Sequence, residues 1–139
     1  MENILFMCVS NSARSQMAEG LGKNFLSHDY TVYSAGSHPT AVNPLAIKVM
    51  QEINIDISTH YSKTYNDLPP LFKDTLNLVI TLCKKEVCPT LPKNIKHLHW
   101  PFDDPVLDLN LSEDERLARF RIIRDKIKEK ILSIKVVMK

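Results

Sequence analysis

The stretch that decides the fold is residues 3–20, NILFMCVSNSARSQMAEG. Its first seven residues, 3–9, form a continuous apolar run, which is typical of a strand buried on both faces of a parallel sheet. A short polar loop follows, and then Met17, Leu21 and Phe25 recur at a spacing of four, which predicts an amphipathic helix. A buried strand that passes through a short loop into a helix indicates an α/β fold.

Strands and helices continue to alternate along the rest of the chain. Further strands are predicted where aromatic, β-branched and other apolar residues gather, at residues 30–35, 76–83 and 95–100. Asn43 before Pro44 predicts the start of a second helix. Ser112 and Glu115 form a capping-box pattern ahead of a long amphipathic helix. We therefore predict a single α/β domain over residues 1–139, built on a mostly parallel sheet.

Composition and charge exclude several classes of protein. The chain has 139 residues, of which 44% are hydrophobic and 24% charged, as in ordinary globular proteins. Its net charge of +2 is too small to indicate a nucleic-acid or membrane-surface protein. No apolar run approaches the roughly 20 residues of a membrane helix, and Glu2 stands where a signal peptide needs positive charge. The odd number of cysteines, three, predicts a cytoplasmic protein whose thiols serve chemistry rather than crosslinking.

Cys8 and Arg14 are separated by five residues in the turn between the first strand and the first helix. A short loop that leads into a helix can bind a tetrahedral oxyanion through its backbone amides. An arginine adds two parallel hydrogen bonds to oxygens of that anion. The same positive field favours a thiolate at Cys8. The predicted oxyanion-binding residues are Ser10, Asn11, Ser12, Ala13, Arg14 and Ser15. The alternative is a buried, inert Cys8 and a surface Arg14.

Asp104 precedes Pro105 in the loop that follows the fourth predicted strand. Attack on a tetrahedral oxyanion expels an oxygen that needs a proton, and a carboxylic acid held above the site supplies it. Asp104 is therefore the predicted general acid, in preference to Asp103. Asp and Pro also favour ordinary turns, which is the alternative interpretation.

Cys83 closes the third predicted strand and Cys88 lies just beyond it, and three interpretations of the pair remain open. They are inert buried thiols, zinc ligands with His97 and His99, or partners of Cys8 in a redox relay. The single residue between the two histidines does not match the usual zinc spacing. No glycine-rich nucleotide motif is present, so the sequence predicts neither a metal nor a cofactor.

Four stretches together carry a resemblance to a known family: CVSNSARSQMAEG, VYSAGSHPTAVNP, TLC with the following Cys88-Pro89, and HWPFDDP. The chain resembles the thioredoxin-coupled arsenate reductases, which share the fold of low-molecular-weight protein tyrosine phosphatases. The resemblance implies a three-layer α/β/α fold with four parallel strands in flavodoxin-like order. It also implies a monomer that binds arsenate, or phosphate, and uses thioredoxin as reductant.

The resemblance further implies a cascade of three catalytic cysteines. Cys8 attacks arsenate held by the loop amides and Arg14, while Asp104 protonates the departing oxygen. Cys83 then attacks the adduct, which releases arsenite and leaves a Cys8–Cys83 disulfide. Cys88 attacks Cys83 in turn, and thioredoxin reduces the resulting disulfide.

The chain departs from the family pattern at several positions. Ser10 replaces a usual glycine, Ala13 replaces a cysteine outside the relay, and only four residues separate Cys83 from Cys88, where six are common. Some relatives bind potassium near the anion loop. Asn11, Glu19 and Ser34 match that site, but Lys63 stands where an acid is expected, so an ammonium replaces the ion and no metal is predicted.

Two other functions were weighed against arsenate reduction. A phosphatase acting on phosphotyrosine or a small phosphoester needs only Cys8, Arg14 and Asp104. Such phosphatases place tyrosines after the acid–proline pair, whereas Val106 and Leu107 follow Pro105 here. A non-enzymatic module would bind the anion without turning it over.

Overall fold

The computed structural model describes residues 2–84, 95–106 and 110–137. The strands are β1 (Glu2–Cys8), β2 (Tyr30–Gly36), β3 (Leu76–Thr81) and β4 (Lys96–His99). The helices are α1 (Arg14–Leu26), α2 (Pro44–Gln51), α3 (Pro70–Asp74) and α4 (Glu113–Val137), with a 3-10 turn at Tyr65–Asp67. No helix within these ranges is long and apolar enough to span a membrane.

All four strands are parallel, and their order in the sheet is β2-β1-β3-β4. The predicted four-stranded parallel sheet in flavodoxin-like order is thus confirmed. β1 lies between β2 and β3, which explains its unbroken apolar sequence. At its carboxyl end Cys8 pairs with Gly36 of β2, and Met7 pairs with Thr81 of β3. The ends of β1, β2 and β3 therefore meet at one edge of the sheet.

Side chains of β1 alternate between two hydrophobic cores. Ile4 and Phe6 face the larger core, which contains buried residues of α1, α2 and α4. Leu5 and Met7 face the smaller core, where Phe72 of α3 packs. The predicted apolar stripe of α4 is buried throughout: Leu117, Phe120, Ile123, Ile127, Ile131 and Ile134. The sheet thus separates two helical layers, and the predicted three-layer arrangement is confirmed.

Both predicted helix starts are confirmed by their capping contacts. The Asn43 side chain accepts a hydrogen bond from the Leu45 amide at 2.8 Å. Ser112 Oγ donates to Glu115 Oε1 at 2.9 Å and accepts from the Glu115 amide at 3.2 Å. The first of these helices ends at Gln51.

β3 ends at Thr81, so the prediction that Cys83 closes this strand is wrong by two residues. The cause is a break in pairing at β4. The amide of Trp100 donates to the Thr81 carbonyl, but the amide of Phe102 donates to Leu82, one residue further on rather than two. This shift ends the regular ladder. Cys83 lies in the irregular backbone that follows.

Candidate active site

Asn11 gives the loop between β1 and α1 its sharp bend. Its φ of 48° lies in the left-handed region, which asparagine tolerates better than most residues. The buried side chain donates to the hydroxyls of Ser15 and Ser34, at 2.7 and 2.9 Å. It accepts from the Gln16 side chain and the Lys63 amide, at 2.9 and 3.0 Å. These four hydrogen bonds stabilise a conformation that the backbone alone disfavours.

Ser10, where the resemblance leads us to expect glycine, does not have a positive φ. The bend falls at the next residue instead, so a serine side chain is accommodated at position 10. The first turn of the loop therefore needs no glycine.

The loop turns its carbonyl groups away from the cavity. The carbonyl oxygens of residues 9, 10 and 12 accept hydrogen bonds from the amides of His38, Thr40 and Asn43, at 2.9, 3.2 and 2.9 Å. The carbonyl of Asn11 accepts from the Ser62 hydroxyl at 2.7 Å. In a trans peptide the N–H points opposite to the C=O. The amides of residues 10–13 are thereby directed inward, as an oxyanion cradle requires.

Cys8 is the last residue of β1 and lies at the floor of this cradle, 3% exposed. Its Sγ is 2.9 Å from Ser15 Oγ. Because Ser15 Oγ already accepts a hydrogen bond from Asn11, its own hydrogen is available to the sulfur. No side chain caps the first turn of α1, whose amides therefore remain available to an anion. The Cys8 sulfur thus lies beside a hydroxyl donor at the uncapped start of α1.

Arg14 is buried and fixed by the protein before any anion binds. One guanidinium nitrogen donates to the carbonyl of Phe102 at 3.0 Å and is 3.4 Å from that of Leu82. The other terminal nitrogen lies 3.8 Å from a carboxylate oxygen of Asp104. The second oxygen of Asp104 accepts from the Val106 amide at 3.0 Å. Asp103 instead pairs with Lys84 at 2.9 Å on the surface, so Asp104 is the carboxylate placed over the loop.

These side chains line one cavity of about 190 Å³, formed by Cys8, Ser10, Ser12, Ala13, Arg14, Thr40, Asp104 and Val106. Pockets for drug-sized ligands are larger, at roughly 300–1,000 Å³, so this cavity suits a small ion. The structure brings together the nucleophile, arginine and acid that the sequence predicts. Sequence reasoning did not single out Thr40, whose amide bonds to the loop from a distant segment.

Cys83 is 1% exposed and follows the strand that lies directly beside β1. The Leu82 amide donates to the Met7 carbonyl at 2.9 Å, which extends this pairing one residue beyond β3. The predicted partner Cys88 lies outside the described residues. His99 Nδ1 is 2.9 Å from the Thr81 hydroxyl. Across residues 2–84, 95–106 and 110–137, no three histidine, cysteine or acidic side chains converge as metal ligands.

A buried charge cluster lies behind the loop, centred on Glu19. Its carboxylate is 3.1 Å from the Lys63 ammonium, 2.9 Å from that of Lys23 and 3.3 Å from His60. It also accepts from the amide and hydroxyl of Ser34, at 2.7 and 2.8 Å. Burial opposes ionisation of Glu19, but the charges of Lys63, then Lys23 and His60, outweigh it and lower its pKa.

These residues do not fit the potassium ion of some relatives. Lys63 is 4% exposed, and its ammonium contacts the same carboxylate oxygen that accepts from Ser34. A potassium ion bound to Glu19 and Ser34 would lie against this ammonium, and two like charges at such a distance repel. The lysine thus supplies the positive charge itself.

His60 and Gln16 connect this cluster to the loop, and sequence reasoning missed both. His60 Nδ1 lies 3.0 Å from Gln16 Oε1, while the Gln16 amide nitrogen donates to Asn11. Burial lowers the pKa of His60 against the opposing charge of Glu19. No local pattern in the sequence marks these residues, because their contacts span more than 40 positions.

Comparison with known proteins gives a consistent result. The family model for low molecular weight phosphotyrosine protein phosphatase matches residues 3–135. An arsenate reductase of Halalkalibacterium halodurans is 47% identical over 130 residues, covering 92% of this chain and 91% of the relative. A solved arsenate reductase in the phosphate binding state has a TM-score of 0.77 at 32% identity, covering 96% of each chain. The Corynebacterium glutamicum thioredoxin-dependent arsenate reductase has a TM-score of 0.68 at 29% identity, covering 98% of this chain and 63% of that one.

Proposed function

The chain belongs to the low molecular weight phosphotyrosine protein phosphatase family and, within it, to the arsenate reductases, and we propose that it reduces arsenate through Cys8, Cys83 and Cys88 with thioredoxin as reductant. One observation carries the proposal: a second buried thiol, Cys83, follows the strand next to the one that ends in Cys8. A phosphatase has no use for it.

In the first step the loop amides and Arg14 hold arsenate over Cys8. The Cys8 thiolate forms an S–As bond, and an arsenate oxygen leaves as water with a proton from Asp104. The contact of 3.8 Å between Asp104 and Arg14 supports this role, because it keeps the acid beside the group that grips the anion. Ser15 stabilises the thiolate before attack and remains bound to Asn11 after it.

In the second step the Cys83 thiolate attacks the Cys8 sulfur of the adduct. The S–As bond breaks with its electron pair on arsenic, so arsenic is reduced to arsenite while Cys8 and Cys83 are oxidised to a disulfide. β1 and β3 pair directly, and the hydrogen bond from the Leu82 amide to the Met7 carbonyl keeps the chain beside β1 up to the residue before Cys83. This adjacency supports exchange between the two sulfurs, whose disulfide needs Cα atoms roughly 4.4–6.8 Å apart.

In the third step Cys88 attacks the sulfur of Cys83 and releases Cys8 as a thiolate. The resulting Cys83–Cys88 disulfide takes two electrons from the dithiol of thioredoxin. The cascade needs its cysteines reduced between turnovers, which is consistent with a cytoplasmic location. We propose that the protein acts as a monomer.

The phosphatase function is the weaker candidate. Val106, which follows Pro105, lines the cavity, so the wall offers no aromatic ring against which a phenyl group would stack. The small cavity likewise favours a bare oxyanion over an aryl phosphate.

The test supplies thioredoxin, thioredoxin reductase and NADPH, and follows arsenate-dependent NADPH oxidation. We expect turnover by the wild-type protein and none by Cys83→Ser or Cys88→Ser. Peptide mapping of Cys88→Ser after one turnover should recover a Cys8–Cys83 disulfide. Equal NADPH consumption by the wild type and either variant refutes the relay. Rapid hydrolysis of p-nitrophenyl phosphate that survives Cys83→Ser would favour the phosphatase instead.

A further inference from the structure

A surface on α4 lies next to the active site and has no role in the steps above. Ile122, Lys126 and Lys130 recur at a spacing of four and so form one stripe along the helix. All three are exposed, and Ile122 is 54% exposed, one of the few large apolar side chains in the described residues to be so. We call this stripe, beside which the Asp103–Pro105 loop lies, the α4 face.

Two neighbouring cavities lie along the α4 face. One, of about 380 Å³, is lined by Ile122, Ile123 and the Asp103–Pro105 loop. The other, of about 420 Å³, is lined by Phe102, Lys130 and Ser133. Lys126 lines both, so the two cavities are neighbours that share this side chain. Exposed apolar surface with a charged rim is typical of a protein-docking site.

The α4 face adjoins the chain that leaves the sheet at Cys83. Lys84, the next residue, pairs with Asp103 at 2.9 Å, and Asp103 lines the first cavity. The backbone of Phe102, which lines the second cavity, donates to the Leu82 carbonyl at 3.2 Å. A protein that delivers electrons to a disulfide of Cys83 must approach this side of the molecule.

The charges of the α4 face select the kind of partner. Asp103 is neutralised by Lys84 and Asp104 lies beside Arg14, so the acids of the loop have cationic neighbours. Lys126 and Lys130 project from the helix with Glu129 between them, and the Lys130 ammonium also lies 5.9 Å from the Trp100 ring centre. The exposed charge of the stripe is therefore positive and complements an acidic surface.

Resting on the proposed function, we infer that the α4 face docks a dithiol reductant whose surface around its own thiols is acidic, with Ile122 as the apolar contact. Charge steering by Lys126 and Lys130 then sets the encounter rate, and Ile122 contributes to the lifetime of the complex. The chemistry at Cys8 does not depend on these side chains.

The experiment measures two quantities for each variant: the KM for a bacterial thioredoxin in steady state, and arsenite released in one turnover by pre-reduced protein without thioredoxin. The variants are Lys126→Glu and Ile122→Ser. Lys128→Glu is the matched control, because it makes the same charge change on the same helix but lies near Phe25 of α1, with its ammonium 5.4 Å from that ring. Dithiothreitol serves as an uncharged reductant.

We expect Lys126→Glu to raise the thioredoxin KM on the order of fivefold at low salt, and less at about 1 M salt, where the Debye length is about 3 Å. Ile122→Ser should raise it by a similar factor that salt does not change. Single-turnover arsenite, rates with dithiothreitol and the Lys128→Glu control should stay at wild-type values.

Normal single-turnover arsenite with an unchanged thioredoxin KM in both variants overturns the docking proposal and leaves the proposed function standing. If the thioredoxin KM of the Lys128→Glu control rises as much as that of Lys126→Glu, the docking proposal is overturned too, because the effect then comes from net charge. Binding of anionic vesicles or DNA that Lys126→Glu abolishes, with the KM unchanged, assigns the face to a polyanion instead. Absence of arsenite in the single turnover overturns the proposed function and this inference with it.

Discussion

Replacement of Gly36 by alanine should damage the anion loop chiefly through contacts with its main chain. Gly36 ends β2 opposite Cys8. A Cβ built on it would lie 2.5 Å from the carbonyl oxygen of Val9 and 2.9 Å from the amide nitrogen of Asn11. Both are backbone atoms of the loop. Since ordinary contact begins at 3.4 Å, the Val9 carbonyl must retreat by about 3.4 − 2.5 = 0.9 Å.

A displacement of that size has two measurable consequences. Overpacking of this kind costs about 1–3 kcal/mol of unfolding free energy. Misplacement of a catalytic group by about 1 Å costs on the order of a hundredfold in rate, because the amides no longer converge on the ion. We expect kcat/KM for arsenate to fall roughly a hundredfold, as measured by coupled NADPH oxidation, while urea unfolding shows a folded protein.

Gly20→Ala is the matched control. A Cβ there would lie 2.7 Å from a methyl group of Ile57, in the core and against side chains rather than the loop backbone. Its stability should change while kcat/KM stays near the wild-type value. The reasoning is refuted if Gly36→Ala retains kcat/KM within about twofold of the wild type, or if both variants lose activity equally.

Further perturbations follow from the charges near the site and on the helices. Asp104→Asn should lower kcat by about 10²–10⁴-fold in the coupled assay, while Asp103→Asn, whose partner is Lys84 on the surface, should leave it unchanged. Replacing NaCl by KCl at constant ionic strength should not change activity. Lys63→Met should lower the free energy of urea unfolding by about 3 kcal/mol, because the buried Glu19 carboxylate loses its nearest buried cation. Hydrogen bonds from Arg121, aided by Arg124, lower the pKa of Glu52 to about 2. Because this pKa lies below the ordinary value of a glutamate, the stability that the Glu52 carboxylate contributes is complete above about pH 4.5 and is lost toward about pH 2. Glu52→Gln should therefore weaken the dependence of the thermal melting temperature on pH over that range.

Each of these expectations has an outcome that contradicts it. If kcat falls equally in Asp104→Asn and Asp103→Asn, the loss comes from a disturbed loop and not from a missing general acid. Activation by KCl would show that Lys63 does not supply the charge near Glu19. If the melting temperature of Glu52→Gln still falls with acid as in the wild type, other carboxylates cause that fall.

The sequence predicts the sheet and the loop well because both depend on local patterns. An apolar run in β1, the cap at Asn43 and the spacing of Cys8 and Arg14 each lie within a few residues, and each predicts its structure without knowledge of the rest of the chain. The order of the strands followed from family resemblance rather than from these patterns.

What the sequence did not predict depends on contacts between distant segments. The end of β3 is set by the change of register opposite Phe102, about twenty positions away. The left-handed conformation of Asn11 depends on Ser34 and Lys63, and the approach of Thr40 on the path of the chain after β2. Such pairings have no periodic signal, so only the folded structure shows them.

The cradle is built from the peptide groups of residues 10–13 and not from their side chains. Positions in the site should therefore fall into two classes that differ in how well they tolerate substitution. The main chain cannot be mutated away, so the side chains at 10, 12 and 13 are released from selection for anion affinity. Two of these positions hold the small side chains of Ser10 and Ala13. The constraint falls instead on Asn11 and Gly36, which hold the main chain in shape, and on Arg14, whose side chain lines the cavity. A saturation scan scored by arsenate resistance of the host should find tolerance at the first three positions and strict intolerance at the last three.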